Sequence, residues 1–367
     1  ASTMMTDSAL HSDLAVPPGE FLLEVAGYLR TSQADLARRM GRPPQAINEI
    51  IKGEKMITPE TALQLEQVLA VPAHIWTGLE AEYQLVKARQ QDTKTLEQEV
   101  GMLDRFPYRH MAGFAWVAKT RDTIRRVQEL RRFFGVASLH SLEGVKAYRP
   151  AFRQAVKSEC SPEALAAWLR AGESAARRID TRPYDEKGLM ATLAELRSFS
   201  NRAPEDFLPR LRQTLAQCGV GFVLHPHLPK TYVSGATFWL ASDKAALMLS
   251  NRGRWADMFW FNLFHEIGHI VLHDRRHMFL ENTEDDPQWK NQEREADEFA
   301  RDRLIPPAQY DRFVARGKFT SAAIRAFAQS LDIAPGIVVG RLQHDKILSP
   351  HQQHGLRVRY QWRQHAA

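Results

Sequence analysis

Residues 255–273 read WADMFWFNLFHEIGHIVLH. Most positions are apolar and are spread around the helix, so a helix over this stretch is apolar almost all round and belongs in the interior. Inside it stand His265, Glu266 and His269. At ~100° per residue the two histidines lie one turn apart on one face. Imidazoles so spaced can bind a single zinc ion, with Glu266 beside them as general base. Two histidines and a glutamate buried in such a helix would be costly without partners, and a metal supplies the compensation. The competing reading is a pair of structural histidines satisfied by their neighbours. His273 follows one turn later but has drifted ~80° around the helix from His265, which makes it a structural residue or a prop for a ligand.

A catalytic zinc needs a third protein ligand and leaves one position to water. The candidate stretch is NQEREADEFARDRLIP at 291–306. On a helix, Ala296, Ala300 and Leu304 form one stripe with Phe299 at its flank, and Glu293 and Asp297 fall on that inward stripe. Glu295, Glu298 and Asp302 fall on the opposite, solvated side. Glu293 is therefore the expected third ligand, with Glu295 as the alternative. Asp297, one turn on, is expected to hold the free ring nitrogen of a ligand histidine. Upstream, VGFVLH (220–225), TYVSGATFWL (231–240) and AALMLS (245–250) are rich in β-branched and aromatic residues and predict short strands of one small sheet. The stretch 231–240 could offer an edge to an extended peptide, or be plain sheet core. Zinc alone does not complete an oxyanion site, and Tyr232, His225 and His273 are candidate donors among which the sequence does not choose.

Residues 31–76, TSQADLARRMGRPPQAINEIIKGEKMITPETALQLEQVLAVPAHIW, have the grammar of a helix-turn-helix. Ser32 suits a helix cap, and Leu36, Ala37 and Met40 share the buried face. Gly41 supplies a stop, and Pro44 opens the next helix. That helix is expected to bury Ile47, Ile50 and Ile51, to turn Gln45, Asn48, Glu49 and Lys52 outward, and to end at Gly53. Thr58-Pro59 starts another, with Leu63, Leu65 and Val68 inside. In this architecture the second helix enters the major groove, where amides can pair with adenine. Gln45, Asn48, Lys52 and Arg42 are the expected DNA contacts. Arg38, Arg39, Arg42, Lys52 and Lys55 outnumber Glu49 and Glu54 there, although residues 19–90 as a whole are near neutral. The competing reading is a helical interaction module that binds no DNA. Such modules commonly pair to match two half-sites, so a homodimer is an expectation.

The 367 residues, 44% hydrophobic and 25% charged, are ordinary for a globular chain of two or three domains. Two cysteines, Cys160 and Cys218, form neither a metal-finger spacing nor a disulfide framework, which points to a reducing, cytoplasmic setting. No apolar run is long enough to span a membrane, and the first residues lack the basic start and apolar core of a secretory signal. The net charge of +6 resides mostly in the Arg-rich middle third, a solvated helical surface or a face for nucleic acid or an acidic partner. The expected organisation is a flexible tail (1–18), a helix-turn-helix domain (19–90), a helical linker or middle region (91–210), a domain holding the His-Glu-x-x-His helix (211–310) and a helical C-terminal extension (311–367). The acidic loop at 281–286 reads as a solvated lid or linker, and RVRYQWRQH at the C-terminal end as a frayed basic tail.

Four stretches, VSGATFWLA, ALMLSNRGRW, FWFNLFHEIGHIVLH and EREADEFARDRLIP, resemble the ImmA/IrrE family of zinc metallopeptidases over roughly residues 215–340. The N-terminal module resembles the Xre-type helix-turn-helix of HigA-family antitoxins. FFGV at 133–136 and IAPGIVVGRLQ at 333–343 are similar to members that join the two. The resemblance implies an α+β, predominantly helical protein: a helix-turn-helix module, a helical middle region and a zincin-like domain with a small sheet and the His-Glu-x-x-His helix. It implies a gluzincin-like zinc endopeptidase whose protein substrate is an Xre-type repressor, so that cleavage relieves repression of stress or mobile-element genes. The alternative is a DNA-binding regulator or HigA-like antitoxin whose zinc site is structural or sensory.

Overall fold

The structure, a computed structural model, describes residues 14–146, 148, 151, 160–252, 254–273, 279–280 and 287–362. The chain divides after Val100 into two compact units. The first holds α1 (Pro18–Tyr28), α2 (Gln33–Arg39), α3 (Pro44–Ile51), α4 (Pro59–Leu69) and the long α5 (Ala73–Glu99). Its helix boundaries follow local chemistry. The Ser32 hydroxyl accepts from the Asp35 N–H at 3.2 Å and the Thr58 hydroxyl from the Thr61 N–H at 3.3 Å, each satisfying an N-terminal donor. Gly41 and Gly53 end α2 and α3 at φ +65° and +70°, a region a side chain rarely adopts. Leu22, Leu36, Ala37, Ile47, Ile50, Leu65 and Trp76 close one core around these helices. Two expectations fail there. Leu63 is 56% exposed, because Ala62, Leu65 and Leu69 define the inward stripe of α4 and Leu63 lies one step off it. Ile51 and Val68 are half-buried at the margin.

The second unit begins with α6 (Tyr108–Gly113), α7 (Thr123–Phe134), α8 (Pro162–Arg177), α9 (Glu186–Ser198) and α10 (Pro204–Gln217). A sheet follows: β1 (Val220–His225), β2 (Gly235–Ala241), β3 (Lys244–Ser250) and the two-residue β4 (Phe279–Leu280), in the order β1-β3-β2-β4. β1 runs parallel to β3 with Val220 opposite Ala245, whereas β2 is antiparallel to β3 with Gly235 opposite Leu249. The expected strand at 231–240 starts only at Gly235. Lys230 and Tyr232 sit at φ +62° and +47°, and left-handed residues cannot continue an extended ladder. One face of the sheet meets α8, so closely that a Cβ on Gly172 would overlap the Met248 thioether. The other face, through Phe222, Leu247 and Leu249, packs on the core that holds α11 (Ala256–Leu272).

Past α11 come α12 (Pro287–Leu304), α13 (Pro307–Ala315), α14 (Ser321–Ser330) and α15 (Pro335–His344). Residues 281–286, read as an acidic lid or linker, lie outside the described residues. Residues beyond 310 share the core of α11: Ile324, Val338, Leu342 and Tyr360 are buried in it. The C-terminal stretch is not a frayed tail as far as Trp362. Arg357 grips the buried Asp257 carboxylate through Nε at 3.2 Å and Nη2 at 2.8 Å, and Trp260 Nε1 donates to the Tyr360 hydroxyl at 2.8 Å. Among the described residues, no single helix is long and apolar enough to cross a membrane.

Candidate metal centre

α11 and α12 pack along their length, and the site forms between them. Burial of Phe259, Trp260, Leu263, Phe264, Ile267 and Ile270 holds α11 in the core, with His265, Glu266 and His269 7%, 3% and 2% exposed. On α12, Ala296, Ala300 and Leu304 are buried. Ala296 lies against Gly268, where a Cβ would crowd the Ala296 backbone at 3.2 Å, so Gly268 lets the helices close. That approach brings Glu293 to the histidines. His265 Nε2 and His269 Nε2 are 3.0 Å apart; Glu293 Oε2 lies 3.5 Å from the first and Oε1 3.4 Å from the second.

The remaining ring nitrogens are taken. His265 Nδ1 meets Asp297 Oδ1 at 2.9 Å, and His269 Nδ1 meets His273 Nδ1 at 2.9 Å. Each ligand-type histidine thus turns its Nε2 inward. The three donor groups lie within 4.8 Å of one another. Tetrahedral zinc with bonds of ~2.1 Å separates its ligand atoms by about 3.4 Å, so separations of 3.0, 3.4 and 3.5 Å match the group the residues would hold. Glu293 Oε1 is buried and faces His269 Nε2 at 3.4 Å, a long contact for a hydrogen bond and the spacing of two ligands of one cation.

Electrostatics agree with that reading. Burial opposes a charged imidazole at His265, yet the hydrogen bonds it donates to the Asp297 and Glu293 carboxylates and the charge of Glu266 outweigh it and raise its pKa to about 10. Burial pushes His269 down to about 4. Burial also works against the Glu293 carboxylate, but hydrogen bonding by His265 and His269 carries it down to about 2. The carboxylates of Glu293, Asp297 and Glu266 around His265 favour a positive charge there, a proton or a metal ion.

Glu266 faces the other way, onto β2. The Thr237 hydroxyl donates to Glu266 Oε2 at 2.5 Å. Gly235, two residues back and so on the same face of the strand, leaves the space its Cβ would deny to the Glu266 carboxylate. Sequence reasoning passed over Thr237 and Gly235, although a Gly-x-Thr pair on one strand face was a readable signal.

Comparison with known proteins bears on both units. A helix-turn-helix family model matches residues 29–76, and the IrrE N-terminal-like domain matches residues 223–329. Virulence-associated protein I of Dichelobacter nodosus is 35% identical over 79 residues, 21% of this chain and 71% of that protein. An uncharacterized HTH-type transcriptional regulator of Escherichia coli (strain K12) is 28% identical over 71 residues, covering 19% and 76%. Among solved structures, a HigA-family addiction module antidote protein of Coxiella burnetii shares 30% identity over 23% of this chain and 94% of its own, with a TM-score of 0.22. A Pseudomonas aeruginosa protein in complex with its operator DNA shares 28% identity over 24% and 94%, with a TM-score of 0.23. The chain belongs to the proteins that join an Xre-like helix-turn-helix to an IrrE N-terminal-like peptidase domain.

That peptidase domain, metallopeptidase in type, spans β2, β3, α11 and α12, so the cluster lies wholly inside the matched segment. Glu295, expected in solvent, instead reaches His273 Nε2 at 3.1 Å and is only 42% exposed, because His273 at the end of α11 comes alongside the first turns of α12. The three candidate oxyanion donors each have partners of their own. His225 ends β1, half-buried and edge-on to Trp116, with its pKa lowered by burial of the ring. Tyr232 stacks under the Arg252 guanidinium at 4.8 Å. His273 spends both ring nitrogens on His269 and Glu295. The strand edge expected to receive a peptide is partly taken: β4 pairs with β2 at Ala236 and Thr237. In the helix-turn-helix, Gln45 on α3 and Lys52 just past its end are exposed, and Asn48 is half-buried. Gln45 donates to Glu49 at 3.0 Å, and Arg42 Nε to Gln64 Oε1 at 2.6 Å, within the module itself.

Proposed function

We propose that this chain is a zinc-dependent endopeptidase carrying a DNA-binding module, and that its substrate is a protein, an Xre-type repressor whose cleavage relieves repression. The observation that carries the catalytic half is the convergence of two Nε2 atoms and one carboxylate, with both Nδ1 atoms already engaged. Zinc bound by His265, His269 and Glu293 would supply Lewis acidity, activating water and polarising the scissile carbonyl. Glu266 is the general base. Its carboxylate, held at Oε2 by Thr237, accepts a proton from the water as oxygen bonds to the carbonyl carbon. It returns that proton to the amide nitrogen as the C–N bond breaks, and the second water proton passes to the amine, leaving a carboxylate and an ammonium group. Among the described residues the cluster has three ligand groups rather than four, which favours chemistry over a merely structural site, since structural zinc is closed by four protein ligands.

The module reading rests on α3 and its C-terminal end, where Gln45, Asn48 and Lys52 share the outward side and Arg42 precedes the helix. These would meet base edges and phosphates, most simply as a homodimer on two half-sites. The test is co-expression with an Xre-type repressor. Wild-type protein cleaves it, Glu266→Gln retains zinc without cleaving, and Glu293→Ala loses zinc. Undiminished cleavage by Glu266→Gln overturns the assignment of the base and leaves the DNA-binding regulator as the reading.

A further inference from the structure

His265 is steadied by a carboxylate directly, through Asp297. His269 Nδ1 meets a third imidazole instead. His269 Nδ1 and His273 Nδ1 are 2.9 Å apart, with ring centroids 5.0 Å apart and planes inclined at 50°. On its far side, His273 Nε2 reaches Glu295 Oε2 at 3.1 Å, and Asn291 Nδ2 donates to Glu295 Oε1 at 2.7 Å. The His269 and His273 side chains are each 2% exposed.

We infer that His273 and Glu295 form a positioning relay for His269, a carboxylate acting on the metal-binding imidazole through an intervening histidine. The direction of the relay follows from its end. A carboxylate accepts, so His273 Nε2 carries the hydrogen and donates to Glu295. A neutral imidazole then presents a lone pair at Nδ1, which can only accept from His269 Nδ1. His269 is thereby locked in the tautomer whose bare Nε2 points at His265 Nε2 and Glu293. The helix geometry makes this possible. His273 is the residue that ends α11, at φ −117° and ψ 164°, and there its ring stands one turn above His269 while reaching across to α12. The same carboxylate and two rings join α11 to α12 at the end opposite Asp297, so each ligand histidine is fixed by its own acid.

The inference rests on the metal reading and is tested by binding rather than cleavage. Full-length apoprotein is titrated with zinc chloride against a chromophoric chelator, with circular dichroism confirming the fold. His273→Phe, which can neither accept nor donate, is expected to weaken zinc binding about 10–100-fold. His273→Asn is expected to recover part of the loss, because an amide accepts through oxygen and donates through nitrogen as this imidazole does. Glu295→Gln, at a half-exposed position where folding is not at issue, is expected to weaken binding about tenfold. Glu298→Gln on the same helix is expected to leave it unchanged. Wild-type affinity in His273→Phe or in Glu295→Gln overturns the relay, and complete loss of zinc in Glu295→Gln overturns it in favour of direct ligation. Wild-type protein that takes up no zinc refutes the metal reading itself.

Discussion

Gly235→Ala is the smallest change that interrogates the proposed general base. The added methyl group would enter the volume occupied by Glu266 Oε1, Cδ and Cγ, and no other atom is as close. The backbone at Gly235 is not in the left-handed region, so alanine brings no strain of its own. Overpacking by one carbon costs about 1–3 kcal/mol. If the carboxylate swings aside to make room, its hydrogen bond from Thr237 is lost as well, a charged bond in a buried place. The expected loss corresponds to a fall of roughly 2–4 °C in melting temperature for each kcal/mol. The decisive measurement is a double-mutant cycle with Glu266→Ala. With the carboxylate gone, the methyl group fills space, and alanine exceeds glycine in a strand by about 0.5–1 kcal/mol. Gly235→Ala should therefore be destabilising with Glu266 present and neutral to stabilising with it absent. A cost of equal size in both backgrounds would refute the claim that Gly235 exists to seat that carboxylate.

Two further outcomes follow from other parts of the molecule. Tyr360→Ala should cost about 3–5 kcal/mol in urea unfolding, since the ring packs on Phe207, Phe259 and Trp362 and is only 4% exposed. Tyr360→Phe should cost less, about 1–3 kcal/mol, for the unpaired Trp260 indole N–H; equal costs would show that the ring packing counts for nothing. Zinc affinity should rise with pH, by about tenfold per unit, because His265, raised to about 10, holds a proton that the metal must displace, while His269, lowered to about 4, holds none. Titrations at pH 6.5 and 8.5, corrected for protonation of the chelator, check this, and a flat profile would contradict it.

How much was legible beforehand differs by element, for reasons of range. Helix caps and stops at Ser32, Gly41, Gly53 and Thr58 were readable, because a cap is a contact between residues three or four apart. The helical period puts Glu293 and Asp297 on one stripe of α12, and both reach His265, although the Asp297 side chain is 58% exposed at the edge of that stripe. Leu63 was misjudged because hydrophobicity alone does not say which side of a short helix faces its neighbours. Glu295 was assigned to solvent because the period describes α12 in isolation, whereas His273 approaches that side from another helix.

By itself, the sequence determined the spacing of His265, Glu266 and His269 on one helix and the helical period that carries Glu293 and Asp297. It also determined the grammar of the N-terminal module, since all of these depend on neighbours along the chain. Only the tertiary structure decided which strand seats Glu266, that His273 and Glu295 stand behind His269, and that Arg357 and Tyr360 fasten the C-terminal stretch to the start of α11. The physical reason is separation: Thr237 and Glu266 are 29 residues apart, Trp260 and Tyr360 are 100. Such contacts are selected by how whole elements pack, and no local pattern encodes them.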